Sequence, residues 1–138
     1  MTKTREYKKL NSTGSLLRHV PTNTIYSYNT PIYREFTLSN GKVLKVFNKT
    51  YYSATTRRHQ ASIREYELCA DIVFHYCPYG EWSLNTAFEH EITITRQEIN
   101  RFNAIPHKLG SRQAAKLKEL NKELITRLKV LQNLYKEI

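Results

Sequence analysis

Tyr51-Tyr52-Ser53-Ala54-Thr55-Thr56-Arg57-Arg58-His59-Gln60, with the apolar run that continues to Cys77, decides how the chain is read. A hydroxyl-rich segment leads into a helix whose first turn carries Arg57 and Arg58. A helix start leaves backbone N–H groups unpaired and carries about half a positive charge. Ser53, Thr55 and Thr56 are residue types that cap such groups. With Arg57, Arg58, Gln60 and Arg64 they also offer donors to a phosphate oxygen or a carboxylate. Ile63, Tyr66, Ala70, Val73 and Cys77 recur at three- and four-residue steps, which predicts one central helix from near Thr56 to Cys77. His59 lies on its core side, and Arg57 and Arg64 on its solvent side. Cys77-Pro78-Tyr79-Gly80 stops it.

Upstream, residues 24–38 are rich in strand-forming types, and Pro31 marks an edge or a bulge. Asn40-Gly41 signals a hairpin. A two-residue loop there pairs Leu38 with Val43 and Phe36 with Lys45, placing Phe36, Leu38, Val43 and Phe47 on one face and Thr37, Leu44 and Val46 on the other. Residues 1–23 show no sustained period and carry Lys3, Arg5, Lys8, Lys9 and Arg18, so they are expected to form a basic flexible arm.

Downstream, Phe88, Ile92 and Ile94 alternate with Glu89, Glu91 and Thr93, which predicts a third strand over residues 87–94. Thr95-Arg96-Gln97-Glu98 fits a capping box opening a short helix, with Ile99 and Phe102 inward. Residues 104–110 read as a connector. Ser111 is expected to cap a last helix over about 111–137. Leu117, Leu120, Leu124, Leu128, Leu131 and Tyr135 form its apolar stripe, and Lys116, Lys118, Lys122, Arg127, Lys129 and Lys136 its basic face. A strict heptad would set Arg127 in the seam, which argues against an ideal coiled coil.

The expected class is α+β: a short antiparallel sheet, the hairpin plus one further strand, packed on the central helix, with a long amphipathic C-terminal helix. Residues 24–138 form one domain of that kind. A chain of 138 residues buries roughly 65–70% of its unfolded surface. A net charge of +10 with ten tyrosines favours a polyanionic partner or a tyrosine-bearing interface. Cys69 and Cys77, about 12 Å apart on one helix, cannot bridge, and point to a reducing, cytoplasmic setting. No run is long and apolar enough to cross a membrane.

Most catalytic chemistry lacks its pattern. Of the ligand types, only His75 and Cys77 fall close together, and on a helix they diverge by about 200°, so no metal is expected. No nucleophile elbow occurs, and glycines 14, 41, 80 and 110 never cluster into a phosphate loop. Glu89 and Glu91, on one strand face, read as solvated. Hence no enzyme activity and no cofactor are expected. Tyr26, Tyr28, Tyr51 and Tyr52 beside the arginines suit single-stranded nucleic acid or a protein hot spot.

Ser27-Tyr28-Asn29-Thr30-Pro31, then Tyr52-Ser53-Ala54-Thr55-Thr56-Arg57-Arg58-His59-Gln60 and Arg64, resemble a group of small uncharacterised proteins encoded by bacteriophages and other mobile elements. The resemblance covers residues 25–66. It implies a phage accessory protein that acts on host machinery or defence, and transfers no catalytic role. The leading expectation is binding of nucleic acid or a nucleoprotein through Ser53, Thr55, Thr56, Arg57, Arg58, Gln60, Arg64, Lys116, Lys122 and Lys129. A protein-binding inhibitor of a host enzyme or defence system, such as an anti-CRISPR, is the alternative. A homodimer through the last helix is the third reading.

Overall fold

In the computed structural model, which describes residues 6–104 and 110–138, the fold is α+β, with one six-stranded mixed sheet and a long C-terminal helix. Strands β1 (Tyr7–Lys9), β2 (Leu16–His19), β3 (Thr24–Ser27), β4 (Thr30–Thr37), β5 (Val43–Asn48) and β6 (Ile72–Phe74) lie side by side in sequence order. The first five pair antiparallel. β6 runs parallel to β5, and a parallel neighbour needs a long crossover. That crossover holds helices α1 (Ala54–Ser62) and α2 (Arg64–Cys69). Helices α3 (Leu84–Asn103) and α4 (Ser111–Lys136) complete the chain. It divides into two compact units, Met1–Ala87 and Phe88–Ile138.

The expected arm is sheet. Residues 7–19 supply β1 and β2, turning through Gly14 at φ +75 and closed by Leu10 N–H donating to the Leu16 carbonyl. Leu16 alone among the residues of these two strands is fully buried. The pair is held by ladder hydrogen bonds to β3 rather than by an apolar face, so no period announced it. The expected strand over 24–38 is two strands joined at Tyr28-Asn29. Tyr28 takes φ +56 there, which a bulky side chain rarely adopts, so no turn signature was present. Pro31 lies opposite Tyr26, where the register shifts, and the bulge accommodates it.

The Asn40-Gly41 hairpin forms one residue out of the expected register. Thr37 pairs with Val43, Phe36 with Leu44 and Glu35 with Lys45. Gly41 alone takes positive φ there, +84, while the Asn40 side chain accepts from Lys42 N–H. A three-residue loop replaces the two-residue turn, and one residue of slip exchanges partners across the sheet. Leu44 and Val46, fully buried, therefore share a face with Phe36, while Val43 is 43% exposed. On the opposite face Ile25, Tyr33 and Phe47 pack with Leu16, Ile32 and Ile63, and Tyr66, Ala70 and Val73 close over them.

The single central helix is corrected too. It breaks at Ile63 and ends at Cys69, and Ile72-Val73-Phe74 are strand. A short buried apolar run cannot be told from a helix by period alone, and β-branched residues decide for the strand. Ile63, Tyr66, Ala70 and Val73 still reach one core. Neither cysteine is in a disulfide, Cys69 is exposed and Cys77 buried, and they share no helix.

The expected third strand at 87–94 is helix. Phe88, Glu91, Ile92 and Thr95 are all buried, at helical spacing. The buried Glu91 disguised that stripe. Thr95 is interior to α3, not a cap; Ser83 accepts from Thr86 N–H at the true start. Within the second unit, Phe88 stacks on Tyr135 at 5.9 Å and Arg127 Nη2 meets the Glu91 carboxylate at 2.8 Å. Arg127 thus belongs to the inner side of α4 rather than its basic face. Gly110 precedes α4 as its cap residue. Lys3, Arg5, residues 105–109 of the expected connector and the Ser111 side chain lie outside the described residues.

Candidate functional site

The start of α1 is built as a junction. Ser53 accepts from Thr56 N–H at 3.1 Å, which caps the helix. Thr56 is buried, its hydroxyl 3.0 Å from Ser27 Oγ. Gln60 is buried as well, and its Nε2 donates to the carbonyls of Asn48 (2.8 Å) and Thr50 (2.9 Å). That amide ties the helix to the end of β5. Asn48 Nδ2 donates to Tyr52 Oη, which lies 3.1 Å from the Cys77 carbonyl, so Tyr52 also belongs to the scaffold. Tyr51 is 62% exposed, and the Arg57 guanidinium sits 5.2 Å from its ring centre. Arg58 and Arg64 are exposed. Of the residues read as one anion site, Ser53, Thr56 and Gln60 have their groups committed to the fold; Tyr51, Arg57, Arg58 and Arg64 face outward.

His59 closes the junction. Its Nδ1 lies 2.7 Å from Ser27 Oγ, and the Tyr28 ring is 5.8 Å away. Burial, and then the nearby Arg58 charge, hold its pKa below the usual 6.5. Such a group takes up its proton more readily once unfolded. Its contribution to stability is therefore full above about pH 6.5 and declines as pH falls through that value. Thermal melts from pH 7.5 to 5.5 are expected to fall less steeply for H59N than for the parent chain; equal slopes would remove His59 as the cause.

The second unit carries a more open basic surface. On a helix of 3.6 residues per turn, Lys118, Lys122, Lys129 and Lys136 fall on one side of α4, spread over about 27 Å. Lys116 falls on a different side, so the structure does not group it with Lys122 and Lys129. All five are exposed. Toward the end of α4 the file opens into a groove of about 660 Å³. Arg96, Lys129 and Lys136 supply its cations and Thr93, Gln132 and Asn133 its neutral polar groups. Among the described residues none of these three cations is in an ion pair. Glu89 is the one acid in the lining, and its Oε1 accepts from the Tyr135 hydroxyl at 2.9 Å. That bond raises the Tyr135 pKa, with burial adding to it.

No family model, curated protein or solved structure matches this chain. Among the described residues there is no group of three or more His, Cys, Asp or Glu able to hold a metal ion, and no helix is long and apolar enough to cross a membrane.

Arg96 and Lys136 were absent from the expected site, and for different reasons. Reading Arg96 into a capping box took it off the long α3, where Ile92, Thr93 and Arg96 reach one side. Lys136 was visible as part of the basic face, and the seven-residue steps from Lys122 to Lys129 to Lys136 are the signal that aligns it.

Proposed function

We propose that this chain is a non-enzymatic accessory protein of the bacteriophage type, binding nucleic acid or a nucleoprotein through its basic surfaces. The groove holding Arg96, Lys129 and Lys136 carries the reading, because three cations without internal partners gain most from phosphates. Each phosphate neutralised releases condensed counterions, so affinity comes with a fixed salt dependence. Gln132 and Asn133 add hydrogen bonds that position a backbone without reading sequence. The net charge of +10 draws polyanions toward the chain at a distance.

Fluorescence anisotropy with short DNA and RNA strands tests this reading. Binding is expected at about 50 mM salt, with log K falling linearly in log salt at a slope near −2 to −3 for three contacts. Undetectable binding at that salt would end it. A protein partner is the second reading, favoured by Leu68 and Tyr79, which are 74% and 79% exposed. Capture from host lysate that survives nuclease treatment would favour it.

A further inference from the structure

The first unit carries a separate concavity whose chemistry differs from that of the basic groove. Antiparallel pairing sets Tyr7 opposite His19 and Leu17 opposite Tyr26, so alternation places these side chains on one face of the sheet. Tyr7, Leu17 and Tyr26, with Tyr28 and Asn29 from the β3–β4 turn and with Glu81, line a groove of about 360 Å³. That is the small end of the range for ligand sites, ~300–1,000 Å³. The Tyr7 ring is 40% exposed, 6.5 Å from the Tyr26 ring and 4.9 Å from that of His19. Aromatic surface is thus open at the mouth rather than consumed in a core.

The lining contains no lysine or arginine, so it offers no cation to a phosphate. Its acid, Glu81, lies 3.5 Å from Arg34 Nη1. The arginine offsets the carboxylate charge, and no bare negative charge remains to draw a cation. Two oxygens still offer about four acceptor positions, more than Arg34 uses. Asn29 supplies both donor and acceptor. Tyr28 sits in the left-handed region at φ +56, and strain of that kind concentrates where a surface meets a ligand. The groove is therefore matched to a flat, neutral ring with N–H groups on one edge.

Resting on the nucleic-acid reading above, we propose that this groove takes one unpaired base of a single strand, stacked on Tyr7 and Tyr26. Glu81 accepts from the amino group on the Watson–Crick edge. A paired base hides that edge, so duplexes are excluded. Cytosine, adenine and guanine present an exocyclic amino donor; uracil and thymine offer only the ring N3–H, flanked by two carbonyl oxygens that repel the carboxylate, and are disfavoured.

Anisotropy with labelled oligo(rC), oligo(rU) and a blunt RNA duplex, at one fixed low salt, tests the site on the full chain. The parent chain is expected to favour oligo(rC) over oligo(rU) by about tenfold or more and to bind the duplex least. E81A should erase the preference between the two strands. Y7A should weaken both strands about five- to a hundredfold, and Y7F, which keeps the ring, should restore them. Both changed residues are exposed, and matching melting temperatures verify the fold. Salt-dependent binding that is unaltered by Y7A and E81A, or that is as tight for the duplex, overturns the site and leaves the charge-based reading standing. No binding to any strand overturns that reading and the site together.

Discussion

R127M is expected to lower the unfolding free energy by about 3–5 kcal/mol, because it leaves the Glu91 carboxylate buried without its guanidinium. Glu91 is fully buried, and Arg127 Nη2 meets its Oε2 at 2.8 Å, with the Arg127 side chain 23% exposed. A charge removed from water must recover several kcal/mol from partners, and the 2.8 Å charge-assisted bond to Arg127 supplies part of it. Removing the guanidinium therefore costs far more than deleting an exposed pair such as Arg101–Glu98, which is worth about 0–1 kcal/mol. The double variant E91M/R127M should recover most of the loss, since an apolar pair of similar volume needs no solvation. Urea unfolding followed by circular dichroism at 222 nm reads both numbers. A loss below about 1 kcal/mol for R127M would show that water reaches the carboxylate and that the pair is marginal.

The same pair explains where sequence reading succeeded and where it stopped. The α+β class was legible, and so were the turn at Asn40-Gly41 and the long last helix, because each follows from local chemistry: a glycine able to take positive φ, and leucines at a 3.6-residue period. α3 was not legible as one helix. Its inner side carries Glu91 and Thr95 among apolar residues, and Arg127, which pairs with the buried glutamate, lies 36 residues later. β1 and β2 were hidden for a related reason: they are stabilised by β3, which local pattern does not contain. Ile72-Val73-Phe74 was ambiguous because a strand buried beside β5 and a helix entering a core look alike over a few residues.

The stretch from Ser53 to Arg64 was legible as a junction, and part of what reads as an anion site there is committed to the fold. Its hydroxyls and amide looked available in sequence, yet the buried Thr56 and Gln60 bond to Ser27, Asn48 and Thr50. Residue types suited to an anion are the same types suited to satisfying buried backbone, and only burial separates the two uses. The cations that remain outward on that stretch are Arg57, Arg58 and Arg64.

On the proposed nucleic-acid reading, two basic surfaces are candidates for the same ligand, and charge reversal tells them apart. R96E/K129E/K136E is expected to weaken binding of a short single strand by about 10²–10³ at 0.1 M salt, since each phosphate contact on a single strand contributes about 0.7 to the slope of log K against log salt. The slope should flatten by about two, and repulsion from three added carboxylates deepens the loss. R57A/R58A is expected to cost about tenfold or less: Arg57 is already held over the Tyr51 ring, which leaves Arg58 as the freer cation. All five residues are at least partly exposed, so stability should change by no more than about 0.5 kcal/mol for a single change. Affinity and salt slope that survive the triple reversal but collapse in R57A/R58A would move the interface to the start of α1. Survival of both variants would mean that charge does not drive the contact, and would favour a protein partner over a nucleic acid.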